Sequence, residues 1–253
     1  SDLAAPLLIS KTPTPTNIGV LDFNGGDYIT FDGTINNAPC GTSYGIILRG
    51  LGSTCISFQN DAQHNTLKGI QIEIGGGKGV YVEYNNGSIG NDYNSFLCNR
   101  FQLRSDIAST ASISAFTTGI SSFFNCKNDN ILIDQNKFEN CATGIQVSGG
   151  GNNGVWTITN NHFYKTTSAS QIGSFINIQM TDTGRVVIEG NYFGGSAPFC
   201  AGSKMLANSG SSLFNLSLPS TSVTNSTFSN NNIQNITSSG NWQLTQFNSL
   251  PIH

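Results

Sequence analysis

The sequence is short of charge. Only 10% of its 253 residues are Asp, Glu, Lys or Arg, against about 25% in an ordinary soluble domain. With a formal net charge of −3 and scattered Lys and Arg, no basic stripe exists to hold phosphates, which argues against a nucleic-acid partner. No window offers Ala, Leu, Glu, Lys and Arg at helical period, so long helices are not expected. No apolar run approaches the ~20 residues of a membrane-spanning helix. No signal peptide is legible, so the chain reads as mature or as an excised piece of a larger protein. The six cysteines include no C-x-x-C pair, the usual zinc spacing, and neither metal nor cofactor is expected.

Gly, Ser, Thr and Asn punctuate short runs of Ile, Val, Phe and Thr, which is strand-and-turn chemistry. The class is all-β. Six segments align without gaps: NTLKGIQI (65–72), NSFLCNRF (94–101), ILIDQNKF (131–138), WTITNNHF (156–163), VVIEGNYF (186–193) and STFSNNNI (226–233). Their last column reads Ile72, Phe101, Phe138, Phe163, Phe193, Ile233, and the column five residues earlier Leu67, Phe96, Ile133, Ile158, Ile188, Phe228. Two residues before the end stand Asn99, Asn136, Asn161, Asn191 and Asn231, with Ile70 the one departure. Constant columns with elastic spacing describe a solenoid of stacked strands joined by loops of variable length. The architecture expected is a right-handed parallel β-helix.

Residues two apart on a strand face the same side, so a turn must separate the two apolar columns if both point inward. Asn suits that bend, because it tolerates left-handed backbone angles and its amide can bond the equivalent Asn one coil away. The six rows are expected to stack as one parallel sheet. GVYVEY (79–84), TGISSFF (118–124), TGIQVS (143–148), SFINIQ (174–179) and SLFNL (212–216) read as a second wall. DYITFDG, GIILRG and CISFQN read as three walls of one earlier coil. No composition break divides the chain, so residues 1–253 are taken as one domain. Residues 1–17 are expected as an extended entry segment, 27–60 as the first coil, 65–233 as the Asn/Phe-ladder coils and 234–253 as a C-terminal coil or cap.

The unit apolar-x-apolar-x-x-Asn-x-apolar resembles that of the pectin-lyase-like β-helix superfamily over most of residues 65–233. More narrowly, DYITFDGTINNAPCGTSYGIILRG followed by CISFQNDAQHNTLKGIQI resembles β-helix modules of large secreted surface proteins of gliding, type IX-secreting bacteria. The resemblance implies a secreted or cell-surface location. It does not imply an activity, because the superfamily holds lyases, hydrolases, tailspikes and adhesins alike.

Catalytic patterns are thin. The polygalacturonase set of N-x-D, D-D, G-H-G and R-x-K is absent. Asp134 and Glu189 are the only carboxylates sharing an outward column, two coils or about 10 Å apart, just beyond the window for an inverting glycosidase; isolated carboxylates more often simply solvate a wall. Asp182, Arg185 and Glu189 lie together as a calcium-and-base site would require, but turn chemistry explains them. Neither His64 nor His162 has a G-x-S-x-G partner, and His253 is terminal. A Thr/Ser row (Thr66, Ser95, Thr157, Thr227) is similar to ice-binding solenoids, yet Leu132 and Val187 interrupt it.

Binding needs only exposed aromatic faces near polar donors. The outward candidates are Tyr81, Glu83, His162, Tyr164 and Tyr192, whereas Trp156 belongs to the core. The expected function is a non-catalytic adhesive or glycan-binding module whose partner is a glycan or cell-surface polymer. A polysaccharide lyase or glycoside hydrolase, and a structural stalk or filament subunit, are the alternatives. Cys40 and Cys55 flank the GIILRG strand and are expected to form a disulfide. Cys98, Cys126, Cys141 and Cys200 could pair in three ways, with buried free thiols the alternative. The sequons at Asn86, Asn215, Asn225 and Asn235 are what an Asn-rich chain produces by chance.

Overall fold

The computed structural model describes residues 5–10, 19–36, 38–50, 54–82, 89–104, 118–123, 128–149, 154–166, 173–180, 184–207, 212–218, 226–238 and 243–248. Among them there is no α-helix, only strands and one 3-10 turn at Pro198–Cys200. The strands form three large parallel sheets of eight, eight and seven members, plus a two-stranded pair, Met205–Ala207 with Ile236–Ser238. The first wall runs from Leu7–Ser10 to Asn232–Ile233. The second runs from Leu21–Asn24 to Gln243–Asn248, and the third from Thr30–Asp32 to Thr227–Ser229. The chain visits the walls in that order and then returns to the first, so each strand pairs with its counterpart one circuit later. Leu7–Ser10, inside the stretch expected as an entry segment, pairs in register with Ile46–Arg49.

The aligned rows do not make one sheet. Each bends at its centre, placing its first half on the third wall and its second half on the first. Ile133 thus pairs with Phe96 and Ile158 on one wall, while Phe138 pairs with Phe101 and Phe163 on the other. The Asn does not supply the bend either. The left-handed residue is the one before it: Gly69, Cys98, Gln135, Asn160, Gly190 and Asn230, with φ from 54° to 66°. Geometry assigns the two tasks to neighbours, because an Asn whose amide reaches into the corner must itself continue into the next strand.

The Asn side chains close the corner between the third and first walls. Asn136 Oδ1 accepts the Asn99 N–H at 2.9 Å, Asn161 that of Asn136 at 2.8 Å, and Asn191 that of Asn161 at 2.8 Å. Their Nδ2 groups donate back to Phe96, Ile133 and Ile158 carbonyls. Asn99, Asn136, Asn161 and Asn191 are fully buried, so these bonds satisfy backbone groups that water cannot reach. Even the exception fits, since Ile70 N–H donates to Asn99 Oδ1 at 3.0 Å. The corner between the second and third walls repeats the device, with Asn65 Oδ1 accepting from Ile29 and Asn94 Oδ1 from Asn65.

Inside, Phe101, Phe138, Phe163 and Phe193 stack with ring centroids 4.9, 4.6 and 4.8 Å apart, all at most 2% exposed. Opposite them on the second wall lie Gly79, Gly119 and Gly144. A Cβ built on Gly119 would stand 2.5 Å from the Phe138 ring, so the missing side chain is what admits the aromatic one. One circuit later Phe175 takes that position and packs on Phe193 at 5.3 Å. Trp156 is fully buried, and its Nε1 donates to the Asn128 carbonyl.

Asn161→Leu is expected to orphan the Asn136 N–H and the Ile133 carbonyl, at about 1–3 kcal/mol for each buried group. Urea denaturation should show a clear fall in midpoint; an unchanged midpoint would mean the ladder adds nothing to stability.

Candidate functional site

The outer face of the first wall carries two columns. Gln71, Arg100, Lys137, His162 and Tyr192 stand in register in one. Arg49, Glu73, Gln102, Glu139 and Tyr164 form the other. Strand pairing puts opposite charges on neighbouring coils. Arg49 bonds Glu73, and Arg100 grips Glu139 Oε2 through Nε and a terminal nitrogen at 3.0 and 2.6 Å. Glu139 also accepts from the Tyr164 hydroxyl at 2.9 Å and from Thr166 at 3.2 Å. Glu73 accepts from Gln71 and Gln102 as well. Both carboxylates are spent on neighbours, which makes them structural groups rather than free bases. Burial opposes the Arg100 charge, but Glu139 outweighs it and raises the guanidinium above its ordinary range. Burial pushes Tyr44 up to about 12 and raises Tyr164 as well, so both hydroxyls keep their protons.

Part of this wall is roofed. After Thr30–Asp32 the chain makes an excursion before re-entering at Ile46–Arg49. The excursion is pinned twice: Cys40 is bonded to Cys98 at the third-to-first corner, with Cα atoms 5.1 Å apart, and Lys137 Nζ donates to the Gly41 carbonyl at 2.7 Å. On one side of the disulfide is a cleft of about 330 Å³ beside Asp32, Thr34, Pro39 and Lys68. On the other is a cleft of about 520 Å³ lined by Cys40, Thr42, Gln135, Lys137, Asn160, His162, Tyr192 and Phe199.

The larger cleft is the candidate site. Its aromatic wall is built by His162, stacked on Tyr192 at 4.9 Å, with Phe199 edge-on to the imidazole at 4.4 Å. Phe199 is 64% exposed and sits at φ 60° in the tight turn that follows the first-wall strand Tyr192–Phe193. Its N–H donates to His162 Nδ1 at 3.0 Å, which leaves the imidazole proton on Nε2. Lys137 supplies a cation whose charge burial disfavours, with Arg100 adding to the effect. Thr42, Gln135 and Asn160 add hydroxyl and amide groups. Such a surface can stack a flat apolar face and bond hydroxyls around it.

Of the residues expected to bind, His162 and Tyr192 meet here. Tyr164 does not. It points outward from its wall but is only 5% exposed, with its hydroxyl committed to Glu139. Tyr81 lies on the second wall beneath the Lys78 ammonium, 3.4 Å from the ring centroid, remote from the cleft. Glu83, Cys126 and Asp182 lie outside the described residues. Asp134 and Glu189 stand two coils apart on the third wall, as their column implied. Asp134 is held by Gln135, Thr159 and Asn160, Glu189 accepts from Asn230, and neither lines the clefts. Lys137 was legible as the coil-neighbour of His162 in one column. The exposed Phe199 had no comparable signal.

The expected Cys40–Cys55 bridge is wrong. Cys55 is buried in the strand Thr54–Gln59 with its thiol against the Glu73 carbonyl, while Cys40 rides the excursion to a different corner. Cys55, Cys141 and Cys200 are buried thiols, and burial pushes Cys55 up to about 12.

Replacing Cys40 and Cys98 by Ser should lower stability by about 4 kcal/mol for a closed loop of 58 residues. Urea titration with and without reductant checks the size, and a non-reducing peptide map that links Cys40 to Cys55 would overturn the assignment. His162 gives a pH signature. Burial, then the Lys137 charge, pushes it down to about 4, whereas an unfolded imidazole titrates near ~6.5. The unfolded chain therefore takes up the proton first, and stability should fall as pH drops from about 6.5 towards about 4. In His162→Gln that fall should be shallower, measured as urea midpoint against pH. Comparison with known protein-family models, curated proteins and solved structures finds no match.

Proposed function

We propose that the chain is a right-handed parallel β-helix of the pectin-lyase-like kind, serving as a non-catalytic glycan-binding module of a secreted or cell-surface protein. The cyclic return of the chain to three parallel sheets supports the coil, and parallel crossovers are right-handed in about 98% of cases. The disulfide suits an oxidising compartment. No helix among the described residues is long and apolar enough to cross a membrane.

The observation that carries the reading is the cleft beside the pinned excursion. Tyr192 and Phe199 offer ring surface, and Lys137, Gln135, Asn160 and Thr42 surround it with hydrogen-bonding groups. A sugar ring needs both, an apolar face for stacking and polar partners for its hydroxyls. Turnover needs an acid and a base held with shifted pKa values. Asp134, bonded to the cleft residues Gln135 and Asn160, is held by them and by Thr159, and the first-wall carboxylates Glu73 and Glu139 are tied into ion pairs.

Screening on an oligosaccharide array, followed by calorimetry on each hit, is expected to give weak binding that Tyr192→Ala and Phe199→Ala each reduce about tenfold, or 1.4 kcal/mol. No release of reducing ends or unsaturated products is expected from acidic or neutral polysaccharides, with or without calcium. Degradation by the wild type that disappears in the Asp134→Asn, Glu189→Gln double variant would replace this reading with the enzymatic one.

A further inference from the structure

The corner between the second and third walls carries a second aromatic assembly, independent of the cleft. Tyr28, His64 and Tyr93 occupy equivalent places on three successive coils. Their rings stack at 4.7 Å and 4.7 Å, inclined by only 3° and 1°. The stack is on the surface: Tyr28 is 77% and Tyr93 51% exposed, and His64 is exposed too. Ile29 and Ile89 flank it at 42% and 57%. Four of the eight exposed large hydrophobic residues among those described therefore gather at this one corner.

The backbone makes the choice of residues more unusual. Tyr28, His64 and Tyr93 all adopt left-handed angles, φ 57°, 55° and 56°. That conformation is strained for a bulky residue such as the two tyrosines, and much less so for Asn or Gly. The next coil has Asn130 at this position, and the other ladder corner mostly has Gly and Asn. The rings thus sit at positions where the fold alone would favour smaller residues.

Charge decides what the rings face. The same corner carries Asp27, Asp61, Asp92 and Asp129, and its described segments 24–29, 60–65, 89–94 and 128–130 contain no Lys or Arg. Asp27, Asp92 and Asp129 each give one oxygen to a backbone N–H of the next coil, those of Gln63, Asp129 and Gly154. The result is one carboxylate per coil near the aromatic stack, exposed at Asp27, part-exposed at Asp61 and Asp129, and buried at Asp92. An anionic polymer is repelled there. A guanidinium gains twice, by stacking flat on tyrosine and by pairing with a carboxylate.

We propose that this corner is a docking surface for an arginine-bearing basic segment of a partner protein. The exposed ring of Tyr28 supplies the stacking face and Asp27 the nearest exposed carboxylate. The proposal stands whether or not the first-wall cleft binds sugar.

The probe is a fluorescein-labelled hexa-arginine peptide, with hexa-glutamate as control, followed by anisotropy at low and at physiological salt. Hexa-arginine should bind the wild type, more weakly as salt rises. Tyr28→Asn and Tyr93→Asn remove the rings but suit left-handed angles, so both should remain folded by circular dichroism while binding weakens at least about fivefold. Asp27→Asn keeps the oxygen that accepts the Gln63 N–H and removes only the charge; the same weakening is expected. Should hexa-arginine bind no better than hexa-glutamate, the proposal fails. It fails equally if the folded Tyr→Asn variants bind as well as the wild type, or if they lose stability while binding is unchanged, since the stack is then purely structural. Capture of a neutral oligosaccharide at Tyr28 in place of the peptide would also overturn it.

Discussion

The fold depends on satisfying backbone amides that turn away from their sheets at buried corners. A strand can bond its neighbours only while it runs straight, and here each circuit bends from wall to wall. At the third-to-first corner the Asn amide stands in for the missing strand, accepting from the coil before and donating to its carbonyl. Without it several buried groups per circuit would lack partners, a cost that hydrophobic stacking alone could not readily offset. The phenylalanine ladder and the glycine column opposite it come second, because they need coils already held in register.

That same requirement explains what could be read from the sequence. A side chain repeated in one place on every coil leaves a column, and the Asn and Phe columns were legible because Asn136 and Phe138 recur as Asn161 and Phe163. The bend lay just outside this logic. The residues that make it, from Gly69 to Asn230, share a backbone angle and not a side chain. The disulfide was hidden for a related reason, since Cys98 occupies one of those bend positions and faces an excursion whose path the repeat does not encode.

Outward direction also proved a poor guide to exposure. Tyr164 and Tyr192 alternate around the same wall surface, yet one is covered and the other opens into a cleft. Tyr164 is buried with its hydroxyl on Glu139, whereas Tyr192 borders the turn that carries Phe199. The stacked rings at the opposite corner escaped the repeat altogether, because Tyr28, His64 and Tyr93 lie ahead of the aligned rows, where two tyrosines and a histidine do not look like one column. In these stacked parallel sheets the repeat therefore reports the core, and the departures from it report how the outer surface is shaped.

The Cys40–Cys98 bond has a mechanical side. Hydrogen bonds between coils run along the long axis of the stack, so a pull on the two chain ends peels circuits away one after another instead of shearing a whole sheet at once. A covalent link between residues 58 apart removes the enclosed chain from what can pay out. At about 3.5 Å per extended residue that is on the order of 200 Å of withheld length. The early circuits of this chain thus form a segment with a hard stop against extension, while the later ones, described with no such link, yield turn by turn.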